Sequence, residues 1–220
     1  MVRQSSITLA SECSVAERAA MTQALEQAGF TGAHLELGTA AGGTLKELMG
    51  IYPDAATRPP FHVIDPMTYF PDQLTKVRTN LTNAGIDPDS VRFHIGTSAD
   101  FLPVARAEGL QFDFVFIDGD HRHRPVLADL ALADFVTPGG LIALHDNGPK
   151  FPGVGWAIDR FLARNPGYER VTQAETLTLL RKTPAAGPVR ILSTDLAEAS
   201  VTQVLSRWRQ SYRKRLARRA

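Results

Sequence analysis

The chain has 220 residues, 44% of them apolar, enough for one substantial core and, on length, a single domain with an extension rather than two. Its one cysteine, Cys13, has no disulfide partner and no metal-ligand pattern beside it. No apolar signal region follows Met1, and no run reaches the ~18–20 apolar residues that span a bilayer, so a cytoplasmic protein without a transmembrane segment is expected. The formal net charge is +1, yet residues 207–220 hold seven basic residues and no acid, leaving the remainder six charges negative; such a body repels phosphate, and nucleic acid is not an expected partner.

Ser14-Val-Ala-Glu17 is a capping box, and residues 15–28 follow helical spacing, which predicts a helix ahead of the first strand. Strands are expected near 33–37, 61–65, 91–95, 112–118 and 140–145, with helices near 44–51, 70–84, 99–108 and 124–135 between them. Phe112-Asp-Phe-Val-Phe-Ile117 and Leu141-Ile-Ala-Leu144 have the near-continuous apolar character of parallel strands buried on both faces. A helix near 154–165 precedes strands at 168–173 and 176–181, which have too little chain between them for a parallel crossover and must pair antiparallel. The expected fold class is therefore α/β, a doubly wound, mostly parallel seven-stranded sheet with a C-terminal antiparallel hairpin, occupying residues 1–183. Residues 184–220 read as a linker and a helix from about Asp195. Its stripe of Val201, Val204, Leu205, Trp208, Tyr212 and Leu216 predicts burial against the acidic body or across a homodimer. His34, His62 and His94, in or beside buried strands, read as hydrogen-bonded structural histidines, and His123, flanked by Arg122 and Arg124, as solvated.

Residues 34–45 carry the strongest functional signal. A buried strand runs into a turn containing Gly38, Gly42 and Gly43, where missing side chains let backbone approach a ligand, and then into a helix whose N-terminus offers free N–H groups. Phe61-His-Val-Ile-Asp65 reads as the next strand, ending in an acid placed to accept ribose hydroxyls.

Glu36-x-Gly38-x-Ala40-x-Gly42 resembles the first motif of class I S-adenosylmethionine-dependent methyltransferases, with Ala40 where glycine is commoner. Asp65 resembles that family's ribose acid, and Gly96-Thr-Ser98-Ala99-Asp100 its adenine-bordering loop. The resemblance covers about residues 14–183 and implies a Rossmann-like methyltransferase fold. It further implies S-adenosylmethionine contacts from Glu36, Gly38, Thr39, Ala41, Gly42, Thr44, Asp65, Ser98, Ala99 and Asp118. Within the family, Asp118-Gly-Asp120-His121 and His145-Asp146-Asn147 resemble the small metal-assisted O-methyltransferases of catechol, caffeoyl-coenzyme A and bacterial sugar type. That implies methyl transfer to a hydroxyl of a small molecule or sugar, Asp118, Asp146 and Asn147 as ligands of Mg²⁺ or another divalent cation, and His121, with Asp118 beside it, in the catalytic role. The residues agree: parallel strand ends bring oxygen ligands to one crevice, and a histidine with an ordinary pKa near 6.5 takes a proton at neutral pH.

Other readings stand beside these. Asp118 and Asp120 could cap the following helix, Asp146-Asn147-Gly148 is a good turn, and the metal pair shifted by one position would be His145 and Asp146. Gly38-x-Ala40-x-x-Gly43 with Asp65 also fits a relaxed NAD(P) fingerprint of an oxidoreductase, and a non-catalytic cofactor-binding scaffold with a basic interaction tail is the third class. The acceptor is expected between the loops at 67–71 and 148–156.

Overall fold

The computed structural model describes residues 10–217, with side chains to 206. Helix α1 (Val15–Ala28) leads into β1 (His34–Leu37), α2 (Gly43–Gly50), β2 (Phe61–Asp65), α3 (Gln73–Asn83), β3 (Val91–Ile95), α4 (Ser98–Glu108) and β4 (Phe112–Ile117). Then follow α5 (His123–Asp129), β5 (Val136–Leu144), α6 (Pro152–Arg164), β6 (Tyr168–Ala174), β7 (Leu177–Lys182) and α7 (Ser193–Ala217). The strands form one sheet in the order β3-β2-β1-β4-β5-β7-β6, parallel except for β7, which runs antiparallel to both β5 and β6. All residues of β1 and β2 are buried, as strands covered on both faces require. Strand order reverses between β1 and β4, and the crevice at the carboxyl ends of such a pair is where open α/β sheets bind ligands.

The expected elements are present, with shifts that have physical causes. The capping box of α1 forms: Glu17 N–H donates to Ser14 Oγ at 3.2 Å, and Ser14 N–H to Glu17 Oε2 at 2.8 Å. β5 starts at Val136, earlier than expected, because a bulge between Phe112 and Phe114 carries Thr-Pro-Gly-Gly into the sheet and Thr137 Oγ1 donates to Asp113 Oδ1 at 2.7 Å. The single helix expected at 124–135 divides into α5 and a 3₁₀ segment over Leu130–Phe135. His123 is buried against Trp156, not solvated, because α6 lies directly on the start of α5. Gly153 permits that approach: a Cβ there would stand 2.5 Å from His121 O and 2.6 Å from His123 N. His34, His62 and His94 do make hydrogen bonds, His34 Nε2 with Tyr52 Oη at 2.7 Å and His62 Nδ1 with His94 Nε2 at 3.1 Å.

α7 is anchored at its start, where Ala199 is fully buried and buried Asp195 pairs with Arg164 at 2.9 Å and Arg160 at 3.6 Å. In the described part of its apolar stripe the expected burial on the body does not occur, since Val201, Val204 and Leu205 are exposed. Trp208, Tyr212 and Leu216 lie outside the described side chains. Among the described residues, no helix is long and apolar enough to cross a membrane.

Candidate active site

A cavity of about 1070 Å³ opens at the β1/β4 crevice. Its floor is the β1–α2 turn, where Gly38 and Gly42 adopt φ of +83° and +81°. The turn is tied to the end of β2 through Asp65, which is buried. Its Oδ2 accepts from Thr39 N–H at 2.9 Å, and its Oδ1 from Met67 N–H at 2.6 Å and Gln73 Nε2 at 3.2 Å. Gln73 Nε2 also donates to Ala40 O at 3.0 Å, and Asn80 Nδ2 donates to Ala41 O, so α3 holds the glycine turn from above. Glu36 lies buried beneath, and among the described residues neither of its carboxylate oxygens nor the Thr39 hydroxyl has a hydrogen-bond partner. Burial, with the charges of Asp118 and Asp65 adding and the adjacent Thr39 hydroxyl opposing, raises Glu36 to a pKa of about 8.

A second cluster stands where β4 and β5 end. Asp118 Oδ1 meets His145 Nδ1 at 3.1 Å, and His145 Nε2 meets Glu17 Oε2 at 3.2 Å. His121 Nε2 lies 2.9 Å from Asp146 Oδ2 and 3.8 Å from Asp118 Oδ1, its ring edge-on to Phe151. With a carboxylate on each ring nitrogen, His145 must donate from both and is an imidazolium. Burial would lower its pKa, but Asp118 and the adjacent Cys13 sulfur raise it well above 6.5. Asp118, His145 and Asp146 also place ligand atoms within 4.8 Å of one another, so the ligand pair shifted by one position stands beside Asp118 as well.

Glu17 reaches this cluster from α1 and is saturated. Oε1 accepts from Thr176 N–H at 3.0 Å and from Thr176 Oγ1 at 2.5 Å, while Oε2 accepts from Ser14 N–H and faces His145. Burial opposes ionisation of Glu17, but these bonds and the His145 charge outweigh it and lower the pKa from 4.5 to about 2. Because the folded pKa is depressed, the stabilisation is present above pH 4.5 and lost as pH falls toward 2. The difference in urea midpoint between wild type and Glu17→Gln is therefore expected to be large at pH 5–6 and to vanish across that acid window. A gap that stays constant from pH 6 to 2 would refute this. Cys13, Glu17 and His145 place ligand atoms within 4.8 Å of one another, company for Cys13 that its sequence neighbours do not suggest.

A family model described as a methyltransferase domain matches residues 35–147, just over half of the chain and the whole stretch from the glycine turn to the β5 cluster. The chain belongs to the methyltransferase-domain family. No curated protein matches it by sequence. Among solved structures it is similar to CalS11, a TDP-rhamnose 3′-O-methyltransferase of calicheamicin biosynthesis, at 19% identity and TM-score 0.59 over 74% of this chain and 77% of that one. The O-methyltransferase NovP has 20% identity and TM-score 0.60 over 76% and 78% of the two chains. An O-methyltransferase from Bacillus cereus in complex with SAH has 19% identity and TM-score 0.57 over 77% and 81%. In this chain β7 lies antiparallel beside β5, the feature that separates its sheet from the dinucleotide-binding expectation.

In this methyltransferase the residues expected to contact cofactor divide. Gly38, Thr39, Ala41, Thr44, Asp65, Ser98 and Asp118 line the cavity, as does His121. Glu36 is sealed beneath it, Gly42 faces Val77, and Ala99 is exposed on the surface of α4. Asp118 and Asp146 converge on His121, whereas Asn147 turns its amide nitrogen to Thr178 Oγ1 at 2.8 Å, leaving only its Oδ1 for another partner. Neither Asp118 nor Asp120 caps α5: Asp118 holds His145, and Asp120 pairs with Arg122. The turn at 146–148 does form, Gly148 N–H donating to Asp146 O at 2.8 Å with Asp146 at φ +62°. Of the two expected acceptor loops, Thr68, Tyr69 and Phe70 line the cavity, while 148–156 lies outside its lining and approaches it with Phe151 edge-on to His121. Gln73 and Asp129 stand beside the site without a sequence signal, and Glu17 is marked in sequence only as part of a capping box.

Proposed function

We propose that this methyltransferase transfers the methyl group of S-adenosylmethionine to a hydroxyl oxygen of a small molecule or sugar, with Mg²⁺ or another divalent cation held by Asp118 and Asp146. The observation that carries the reading is His121 Nε2 lying between Asp146 and Asp118 at the edge of the glycine-floored cavity. One of the similar structures, the O-methyltransferase from Bacillus cereus, is in complex with SAH, which supports the choice of cofactor. When bound, S-adenosylmethionine supplies an electrophilic methyl on sulfonium, and the cation lowers the pKa of an acceptor hydroxyl.

The chain's own residues do the rest. Asp65 keeps one acceptor site, on Oδ2, for a ribose hydroxyl while the Thr39 and Met67 amides and the Gln73 side chain hold it in place. A cationic ligand above the turn favours the ionised form of Glu36. His121 takes the acceptor proton, and the Asp146 carboxylate stabilises the resulting imidazolium. Two carboxylates with an adjacent imidazole make a donor set suited to a hard or borderline divalent ion, with Asn147 Oδ1 the remaining protein oxygen.

Calorimetric titration with S-adenosylhomocysteine tests the cofactor. Asp65→Ala is expected to weaken binding by ~10- to 100-fold, because it removes a charge-assisted ribose contact and frees three donors of the turn. Unchanged affinity would overturn the assignment. Release of S-adenosylhomocysteine over a panel of catechols and nucleotide sugars tests the reaction, and full turnover in excess chelator would overturn the cation.

A further inference from the structure

Helix α7 carries its apolar side outward. Asp195, Ala199, Thr202, Gln203 and Ser206, spaced i, i+4, i+7, i+8 and i+11 on one face, are its buried and half-buried positions. Asp195 is held by Arg164 and Arg160, Ala199 packs in the core with Leu196 against it, and Arg124 Nη1 donates to Ser200 Oγ at 3.4 Å. On the opposite face Val201, Val204 and Leu205 are 60%, 54% and 54% exposed. A helix that only covers its own body turns its apolar residues inward. Here the residues that meet the body are mostly small or polar, and the apolar ones face away from it.

The sequence of the same helix narrows what covers that face. After Glu198 the chain has seven basic residues and no acid, and α7 continues to Ala217. Trp208, Tyr212 and Leu216 continue the spacing of Val201 and Leu205 in the sequence, with arginines and a lysine between them. Apolar and aromatic positions on one stripe, set among cations, are the composition of a helix lying in the plane of a bilayer interface. Its apolar side enters the boundary between headgroups and acyl chains while its cations meet acidic headgroups.

Other occupants use only half of this pattern. Nucleic acid would engage the cations and leave Val201, Val204 and Leu205 in water. The α7 of a second copy would match the stripe but set seven cations against seven. The body of a second copy offers no matching face, because among the described residues its exposed large apolar side chains, Val15, Tyr69, Ile95, Val104, Val171 and Leu192, stand on six different segments. We propose that α7 is a membrane-surface helix that lays its Val201–Leu205 side on bilayers carrying anionic lipid. The attachment is peripheral, since α7 is not apolar enough to cross a bilayer, and it is independent of what the cavity binds.

The test is flotation of the full chain with vesicles of phosphatidylcholine alone and of equal parts phosphatidylcholine and phosphatidylglycerol. Wild type is expected to bind the anionic vesicles ~10-fold or more tightly than the neutral ones. The double variant Val204→Ser, Leu205→Ser removes apolar contact and no charge. Both side chains are exposed, so its Tm is expected to match wild type, while its binding to anionic vesicles falls by ~10-fold or more. Absence of wild-type binding to anionic vesicles, equal binding to the two compositions, or wild-type binding by the double variant would overturn the proposal. So would a dimeric mass by light scattering that becomes monomeric in the double variant, which would assign the stripe to a second copy.

Discussion

Asp118→Asn is expected to keep its fold and its affinity for S-adenosylhomocysteine within ~5-fold while losing methyl transfer by ~10²- to 10³-fold and most of its Mn²⁺ binding. The substitution preserves shape: the amide oxygen still accepts from His145 Nδ1, so the link through His145 to Glu17 and α1 survives. What disappears is a negative charge 3.8 Å from His121 Nε2, at the point where Asp146 brings the second. A cation site reduced to one carboxylate loses most of its attraction, and an imidazolium forming at His121 loses one of the two charges that stabilise it. In the proposed assignment the cofactor is held chiefly by Asp65 and the glycine turn, with Asp118 at its edge. Titration with Mn²⁺ and with S-adenosylhomocysteine separates the two effects; wild-type turnover in Asp118→Asn would remove this carboxylate from the mechanism.

Gly38→Val is expected to destabilise the protein by ~2–5 kcal/mol, lowering Tm by ~5–15 °C, and to abolish cofactor binding in whatever folds. Two costs add at this position. The backbone sits at φ +83°, where a β-branched residue is strongly disfavoured. A Cβ would also press on the Asp118 carbonyl oxygen, 2.7 Å from its carbon and 2.9 Å from Gly119 Cα. All three are backbone atoms and cannot rotate away, so the ends of β1 and β4 must separate where Asp118 is placed. Gly85→Val is the matched control: it has φ +74° with nothing within 4 Å of a Cβ, so it carries the strain without the clash. Equal melting temperatures for the two variants would show that the approach of Gly38 to Asp118 has no energetic weight.

The order of elements was legible because each is specified by neighbours in sequence. Ser14 and Glu17 mark the start of α1, apolar runs mark β1, β2, β4 and β5, and the short connection between 168–173 and 176–181 compels an antiparallel pair. The glycine turn and Asp65 were legible for the same reason: backbone that must approach a ligand needs glycine, and the acid follows its strand directly. Boundaries failed where distant chain intervenes, as at β5, whose extension to Val136 depends on pairing with Phe112.

Side chains that meet across the fold belong to the tertiary structure alone. Glu17 and His145 are 128 residues apart, and Ser98 and Asp129 31 apart, and nothing local marks either pair as partners. Glu17 reads from sequence only as the second member of a capping box; the docking of α1 on the β5 end makes it a buried counter-charge to His145 as well. His123 reads as solvated between two arginines, yet α6 covers it because Gly153 allows backbone contact. Sequence patterns record periodicity and turn chemistry, which act over a few residues. Which charges face one another is decided by strand register and helix docking, and from those the electrostatics of Asp118, His121 and Asp129 follow.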